Sequence, residues 1–257
     1  MKITALTENT AVNGMPAEHG LSLYIETERC RILFDTGQSD LFARNAEALG
    51  IDLSLVDVAV LSHGHYDHGG GLSAFLRLNA HAPVMLHRCA FEPHFRADGT
   101  YIGLDRELLK SDRLVFCEGK TVIGEGLTLF DQNTAEKETD LGSFGLCMEQ
   151  DGAVSPDDFR HEHYLLIEEN GKRVLISGCS HKGILNIAHW FCPDALVGGF
   201  HFSKLPLDDT LTSYARRLAS YPTDYYTCHC TGVPQYEWMR KNMDRLRYLS
   251  TGQTIII

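Results

Sequence analysis

Residues 61–72, LSHGHYDHGGGL, place three histidines and one aspartate within six positions, namely His63, His65, Asp67 and His68. Packing alone does not explain this density, because imidazole and carboxylate side chains are seldom fully buried without partners. Alternate residues of an extended segment project to one side, so the first two histidines can reach one metal ion while the Asp-His pair turns toward a second. The stretch therefore predicts a two-metal site. The alternative is a solvated histidine-rich turn.

The flanking sequence sets this loop between a strand and a helix. The apolar run DVAVLS (57–62) leads into it, and LSAFLRLN (72–79) follows with Leu72, Phe75 and Leu76 at helical spacing. The glycines of the loop permit the tight backbone that convergence of the four side chains requires. Strand, liganding loop and helix therefore follow one another in that order.

The rest of the chain alternates between strand and helix patterns. Predicted strands include APVMLH, RLVFC, GLTLF, HYLLIEE and RVLISG, and predicted helices include HKGILNIAHW, DDTLTSYARRLAS and PQYEWMRKN. No repeat or linker divides the chain, so we expect one layered α/β domain over residues 1–257. Residues 91–111 carry the weakest pattern, and we interpret them as an insertion or lid.

The composition limits the classes of function. The chain has 257 residues, of which 44% are hydrophobic, and a formal charge of -11. Such an acidic chain is a poor nucleic-acid binder, because that affinity comes mainly from clustered Lys and Arg. No run approaches the roughly 18 apolar residues of a membrane span, and the first residues lack a secretory pattern. We therefore expect a cytoplasmic protein with reduced cysteines and a small-molecule substrate, without nucleic-acid or membrane partners. A homo-oligomer stays open.

The 61–72 stretch resembles the H-x-H-x-D-H motif of the metallo-β-lactamase superfamily, including its position between a strand and a helix. The resemblance implies an α/β fold, a four-layer αβ/βα sandwich with the site at its edge. It also implies that Asp35, in the segment FDTG, orients a liganding histidine without itself binding metal.

Further segments resemble one branch of this superfamily, from Thr7 to about Gly232. They are TENT, EHGLSLYIE, LFDTGQS, SGCSHKGILNI, GGFHF and HCTG. The branch includes proteins called 7,8-dihydropterin-6-methyl-4-(β-D-ribofuranosyl)-aminobenzene-5′-phosphate synthase. The resemblance implies the fold and the metal site more strongly than it implies the substrate.

The chain departs from the superfamily after RVLISG (173–178). Most members have Gly-Asp at the end of this strand, and the aspartate bridges the two metals, whereas this chain continues with Cys179, Ser180 and His181. A thiolate is a competent, softer ligand that favours zinc, and His181 could supply the contact instead. Both readings stay open, as does a purely structural role for Cys179.

The resemblance implies further ligands in other parts of the chain. His229 occupies the position of the last ligand and is assigned to the second metal, while its neighbours Cys228 and Cys230 are predicted to face the core. The first metal needs a third ligand, usually a histidine before the Gly-Asp strand, and His161 or His163 falls there. The alternative for these two histidines is a position on the surface.

Two more histidines are candidates for metal or substrate binding. His201 in GGFHF follows a predicted strand and could face the substrate, or it could be a satisfied histidine at a strand end. His19 in EHGLS matches the branch, and the resemblance implies a position in the pocket wall.

A pair of metals favours hydrolysis. Two divalent ions a few ångströms apart lower the pKa of a shared water from ~15.7 toward ~7 and stabilise a leaving oxygen. We therefore expect a hydrolase with two divalent metal ions, zinc with manganese or iron as alternatives, acting on a small phosphate- or acyl-containing substrate. Asp67 is expected to bind metal and to manage the attacking proton.

Two other functions compete with hydrolysis. The branch name implies a transferase that joins a dihydropterin pyrophosphate to an aminobenzene ribosyl phosphate and expels pyrophosphate. The Gly-Cys-Ser-His sequence is also compatible with a metal-binding protein that has no turnover.

Overall fold

The computed structural model describes residues 1–257 and contains seventeen strands and six helices. The strands are β1 (Lys2–Thr7), β2 (Ser22–Glu26), β3 (Arg31–Phe34), β4 (Val58–Val60), β5 (Val84–His87), β6 (His94–Arg96), β7 (Leu114–Cys117), β8 (Lys120–Gly124), β9 (Leu127–Phe130), β10 (Leu146–Gln150), β11 (Ala153–Pro156), β12 (Tyr164–Glu169), β13 (Lys172–Ile176), β14 (Ala195–Gly198), β15 (Asp224–Thr227), β16 (Leu246–Tyr248) and β17 (Thr254–Ile256). The helices are α1 (Leu41–Ala48), α2 (Tyr66–Gly69), α3 (Leu72–Leu78), α4 (Ile184–Phe191), α5 (Asp209–Ala219) and α6 (Val233–Met239). Short 3-10 helices cover Leu53–Leu55, Arg106–Lys110 and His229–Thr231.

Two seven-stranded sheets form the body of the molecule. The first has the order β17-β1-β2-β3-β4-β5-β7, the second has the order β16-β15-β14-β13-β12-β9-β8, and a smaller sheet has the order β11-β10-β6. Strands β3, β4, β5 and β7 run parallel to one another, as do β13 to β16. Because parallel strands end at the same edge of a sheet, the loops that follow them can share one site.

The two large sheets pack face to face, and helices cover their outer faces. The buried cluster between the sheets takes Phe34 and Val60 from the first sheet and Leu165 and Val197 from the second. A second cluster joins the first sheet to α1 and α3, and a third joins the second sheet to α4, α5 and α6. These layers are the αβ/βα sandwich that the resemblance implies.

Helix α5 illustrates how local sequence sets the outer layers. The Asp208 side chain accepts hydrogen bonds from the backbone N–H groups of Thr210 and Leu211, which caps the helix. Leu211, Ala215 and Leu218 are buried at helical spacing and pack the helix onto the second sheet. The N-cap residue and the spacing of the apolar residues indicate the same helix, so the helix predicted from DDTLTSYARRLAS matches the observed one closely.

Residues 91–111 include β6 and the 3-10 helix Arg106–Lys110. Strand β6 pairs with β10, and the backbone N–H of Tyr66 donates to the Ile102 carbonyl beside the histidine loop. Leu104 and Leu108 are buried in the cluster under α1 and α3. The segment therefore packs against the body next to the motif. Its interpretation as an insertion or lid stays a prediction.

The helices are short compared with a bilayer. The longest, α5, has 11 residues. None combines the length and the apolar character that crossing a membrane requires.

Candidate metal centre

Asp35, directly after β3, braces the histidine loop that follows β4. Its two carboxylate oxygens accept hydrogen bonds from the Ser62 backbone N–H and the Ser62 hydroxyl, each at 2.7 Å. Its Oδ2 also lies 2.7 Å from Nδ1 of His68, and Nδ1 of His63 lies 2.8 Å from the Ser62 hydroxyl oxygen. Since these partners occupy the Nδ1 side of both rings, Nε2 of each ring is left for a ligand.

Two glycines let the loops approach one another closely. A Cβ at Gly178 would lie 2.2 Å from Oγ of Ser62, and a Cβ at Gly64 would lie 2.1 Å from the carbonyl oxygen of Ala90. Both separations are far inside van der Waals contact, so any larger residue would displace the histidine loop.

The loop after β13 supplies Cys179 and His181, and Glu162 holds it. The Glu162 carboxylate accepts hydrogen bonds from the backbone N–H groups of His181 at 2.7 Å and Lys182 at 3.1 Å. Its Oε1 also lies 3.2 Å from Nδ1 of His181, whose ring stacks on Phe159 with 4.5 Å between centroids. Nε2 of His181 is consequently held in a buried position without a hydrogen-bond partner.

The loop after β15 supplies His229 in a strained backbone conformation. Its φ is 48°, in the left-handed region that non-glycine residues seldom adopt. The backbone N–H donates to Oε2 of Glu8 at 3.0 Å, and Nδ1 lies 2.8 Å from Oδ1 of Asn9. The loop after β1 therefore holds this backbone and directs Nε2 of His229 toward His68.

These side chains converge in two groups that share one residue. The ligand atoms of His63, Cys179 and His181 lie within 4.8 Å of one another, and so do those of His68, Cys179 and His229. All five residues are buried. Cys179 thus occupies the position between two potential metal sites.

The second group has the spacing of a metal site. Nε2 of His68 lies 3.2 Å from Nε2 of His229 and 3.2 Å from Sγ of Cys179. Tetrahedral zinc with bonds of ~2.0–2.1 Å to nitrogen separates neighbouring ligand nitrogens by about 3.3 Å. Nδ1 of His68 faces Asp35 and Nδ1 of His229 faces Asn9, so each neutral ring would carry its proton on Nδ1. The Nε2 lone pairs of the two rings would then face each other, and a cation or a proton is required between them. The residues present therefore fit a divalent metal.

The electrostatics of the cluster agree with this fit. Burial, together with repulsion from neighbouring imidazoles, lowers the pKa of His63 well below its ordinary value, and burial lowers the pKa of His65 to about 4. Burial also disfavours a charged His68, but the Asp35 carboxylate raises its pKa to about 9. Burial raises the pKa of the Cys179 thiol, so a thiolate there requires nearby positive charge. Neutral imidazoles and a carboxylate-backed ring are thus available to receive a cation.

A family model for the metallo-β-lactamase superfamily matches residues 15–221. The chain belongs to the metallo-β-lactamase superfamily. The matched residues contain the histidine loop, Asp35 and the loop after β13, and they end before His229.

Relatives agree with this membership. Two proteins of Methanocaldococcus jannaschii are each similar over 90% of this chain. An uncharacterised protein is 32% identical over 243 residues, and the match covers 90% of that protein. The protein named 7,8-dihydropterin-6-methyl-4-(β-D-ribofuranosyl)-aminobenzene-5′-phosphate synthase is 28% identical over 262 residues, and the match covers 88% of it. The structure of Tm1679, a metal-dependent hydrolase of the β-lactamase superfamily, is similar with a TM-score of 0.86 and 30% identity over 100% of this chain and 99% of that one. Zn²⁺-bound PqqB from Methylobacterium extorquens shares the fold, with a TM-score of 0.60 and 14% identity over 100% of both chains.

The centre of this superfamily member opens into a cleft of about 460 Å³. Asp67 and Cys179 line it, together with two cations, Arg96 and Lys204. The Arg96 guanidinium makes a 3.4 Å contact with the Tyr66 hydroxyl and forms no ion pair with a carboxylate, and neither does Lys204. A larger groove of about 680 Å³ beside α1 and α3 contains no histidine or cysteine, so the smaller cleft is the candidate site.

Three of the predicted residues lie at the mouth of this cleft. His201 is half-buried with its ring 4.5 Å from that of His181. His19 is half exposed, and its Nε2 lies 3.1 Å from Oδ2 of Asp67. The same Asp67 oxygen lies 3.4 Å from Nε2 of His229, which brings Asp67 beside the second group.

The prediction that Cys228 and Cys230 both face the core is wrong for Cys230. Cys228 is buried in the cluster between the sheets, whereas Cys230 lines the cleft. The chain enters the 3-10 helix His229–Thr231 instead of continuing as an extended strand, so the expected alternation of side chains ends there.

His161 and His163 are both buried, which contradicts the surface alternative for them. His163 lies apart from both groups, and the centroid of its ring is 6.5 Å from that of His87. His161 instead belongs to a separate group, with His65, His94 and Asp157.

Several residues that hold the candidate ligands were not predicted from the sequence. Asn9 and Glu162 are polar residues in segments already singled out, TENT and HEHYLL, so a search for orienting partners could have proposed them. His94 and Asp157 come from distant segments without a local pattern, and only the fold brings them to His65.

Proposed function

We propose that this chain is a hydrolase that uses two divalent metal ions, zinc in preference to manganese or iron, on a small phosphate- or acyl-containing substrate. The observation that carries the proposal is the position of Cys179, whose Sγ belongs to both groups of candidate ligands. A soft thiolate at a shared position favours zinc over harder ions.

The proposed ligand sets start from the same two groups and add one residue of the histidine loop to each. His63 and His181 would hold the first metal together with His65, whose ring centroid lies 4.6 Å from that of His63 and 5.0 Å from that of His181. His68 and His229 would hold the second metal together with Asp67, whose Oδ2 lies 3.4 Å from Nε2 of His229. Cys179 belongs to both groups and would contribute its thiolate there, in the position where most members of the superfamily have a carboxylate. His181 would be the third ligand of the first metal, the role that the resemblance implies for His161 or His163.

The two metals would supply Lewis acidity that activates water and neutralises developing negative charge. Asp67 lines the cleft and accepts the proton of the nucleophile. Its Oδ2 lies 3.1 Å from Nε2 of half-exposed His19, which can pass that proton to solvent. Arg96 and Lys204 lie on the same cleft without acidic partners and bind an anionic group of the substrate.

Metal content and turnover test the proposal together. We expect two equivalents of zinc per chain and hydrolysis within a panel of phosphodiesters, lactones and thioesters. His65→Ala should lose at least one equivalent and about a thousandfold in rate, since a metal contributes several kcal/mol to transition-state stabilisation.

His81→Ala is the matched control, because His81 is exposed and outside the cleft. It should retain both metal equivalents and full turnover. Two equivalents of zinc without turnover on the panel would instead favour a metal-binding protein without catalysis. Metal far below one equivalent in the unaltered chain, with no turnover, would overturn the proposal.

A transferase that expels pyrophosphate is the second candidate, favoured by the synthase of M. jannaschii that is similar over 90% of this chain. The paired cations of the cleft suit a pyrophosphate leaving group as well as a substrate phosphate. Turnover in ¹⁸O-labelled water separates the two reactions. Label in the product indicates hydrolysis, whereas release of pyrophosphate with unlabelled condensation product indicates transfer.

A further inference from the structure

A buried carboxylate, Asp157, sits behind the histidine loop among three imidazoles. Its Oδ2 lies 2.9 Å from Nδ1 of His94, 3.3 Å from Nε2 of His161 and 3.9 Å from Nε2 of His65. Its Oδ1 accepts a hydrogen bond from the backbone N–H of Phe159 at 2.8 Å. The Asp157 side chain and those of His94 and His161 are 0% exposed, so these contacts exclude solvent.

Hydrogen bonds fix the proton positions in this cluster. The backbone N–H of Gly64 donates to Nδ1 of His161 at 2.9 Å, so a neutral His161 carries its proton on Nε2, the atom that faces Asp157. His94 likewise presents Nδ1 to the carboxylate at hydrogen-bond distance. A ring that is protonated on the inward nitrogen is a donor and cannot ligate a metal there. The cluster therefore gathers N–H groups around a carboxylate and is not arranged as a third metal site.

We propose that Asp157 is a positioning residue that keeps the proton of His65 on Nε2 and thereby aims Nδ1 of His65 at the first metal. The proposal rests on the metal centre of the proposed function. Nε2 of His65 is buried without a hydrogen-bond partner, and the Asp157 carboxylate faces it at 3.9 Å, so that its negative charge favours a proton on this nitrogen. Asp157 thus acts on His65 through charge, whereas Asp35 contacts His68 directly at 2.7 Å.

A second contact ties the same cluster to the loop. Gly64 lies between the two histidines of the H-x-H segment, and its N–H is the donor to His161. His161 in turn is held between Asp157 and His94, whose ring centroid lies 3.9 Å from its own. The loop is therefore held by a hydrogen bond at the Gly64 backbone, directly before His65, and this restricts the direction of the His65 ring.

Zinc affinity and imidazole tautomers test the proposal. Asp157→Asn should weaken binding of the first zinc equivalent about 10- to 100-fold in chelator competition and leave the other equivalent unchanged. Asp158→Asn is the matched control, since the Asp158 side chain is 52% exposed and pairs with Arg160. Nitrogen-15 NMR of the metal-free, unaltered chain should show His65 protonated on Nε2, and Asp157→Asn should give a mixture of tautomers.

Three results would overturn the inference. One is a folded Asp157→Asn variant with unchanged zinc affinity at both sites. Another is a His65 ring protonated on Nδ1 in the unaltered chain, a measurement that needs no variant to fold. The third is a third zinc equivalent that His94→Ala removes, which would identify a metal site in place of a positioning residue. If the unaltered chain binds no zinc, the proposed function fails, while the tautomer measurement still decides the role of Asp157.

Discussion

The two halves of the candidate centre are held in different ways. The motif half comes from six consecutive residues and contains His63, His65, Asp67 and His68. The buried carboxylate of Asp35 contacts His68, and that of Asp157 lies beside His65. The distal half, Cys179, His181 and His229, comes from two loops that follow separate strands. Its histidines are backed by Glu162 and by the neutral amide of Asn9.

This difference separates the position of the metal site from the number and kind of metal ions that bind there. The four motif residues lie together because they are neighbours in the chain, although the carboxylates beside them, Asp35 and Asp157, come from other segments. The distal half needs the second sheet and the N-terminal loop to meet at the same edge. We infer that the motif half sets where metal binds, and that the distal half sets how many ions bind and which element is preferred.

The largest expected effect compares two ligands of the same proposed metal. His68→Ala leaves the buried Asp35 carboxylate without its imidazole partner. His229→Ala removes the partner of the neutral Asn9 amide and a longer, 3.4 Å contact with Asp67, which keeps its 3.1 Å contact with His19. Removing one partner of a buried ion pair costs about 3–5 kcal/mol, and removing a neutral one costs about 1–3 kcal/mol. Urea unfolding in EDTA should therefore show His68→Ala to be the less stable variant. Equal losses of stability would remove the distinction between the two kinds of brace.

The second comparison changes the bridging position itself. Cys179→Ser removes a thiolate and offers a weak hydroxyl ligand, so zinc affinity and rate should fall about a hundredfold, or about 2.7 kcal/mol. Cys179→Asp restores the carboxylate common in the superfamily and should keep the rate within about tenfold. Zinc titration and turnover measure both. If Cys179→Ser binds two equivalents as tightly as the unaltered chain, then Cys179 is only a small residue at a turn.

The third comparison sets the two orienting partners against each other without touching a ligand. Asp35→Asn keeps the shape but weakens the hydrogen bond to His68, and we expect a 10- to 100-fold loss of zinc affinity. Asn9→Ala removes the acceptor from Nδ1 of His229 and should cost about tenfold at most, because the bond is neutral. Chelator competition measures both constants. A greater loss for Asn9→Ala would show that the distal half, not the motif half, depends more on its brace.

The same contrast explains what the sequence could predict. The motif half could be predicted from the sequence because its residues are neighbours in the chain and because strand and helix patterns flank them. The αβ/βα layers were likewise implied by the resemblance. The cluster around Asp157 could not be predicted, since His94 and Asp157 are far apart in sequence and meet only through the sheet β11-β10-β6. Cys230 was misjudged because a 3-10 turn interrupted the alternation assumed for a strand.

The last comparison concerns protons and sets the centre against a histidine outside it; its effect is the smallest when it is taken per pH unit. Burial lowers the pKa of His65 to about 4 and the pKa of His163 to about 3, from an ordinary value of 6.5. Below pH 6.5 the unfolded chain therefore binds protons that the folded chain does not, so stability falls as the pH drops from 6.5 toward 4. Each such histidine contributes about 1.4 kcal/mol per pH unit over this window.

His163→Gln isolates that contribution, because His163 lies outside both groups of candidate ligands. Urea unfolding in EDTA between pH 6.5 and about 4 should give the variant a slope shallower by about 1.4 kcal/mol per pH unit, and His81→Gln, at an exposed position, should leave the slope unchanged. Saturating zinc should steepen the dependence for the ligand histidines, since protons then compete with metal, but the difference made by His163→Gln should persist. If zinc abolished the difference in slope made by His163→Gln, protonation of His163 would be coupled to metal binding. His163 would then belong to the metal centre.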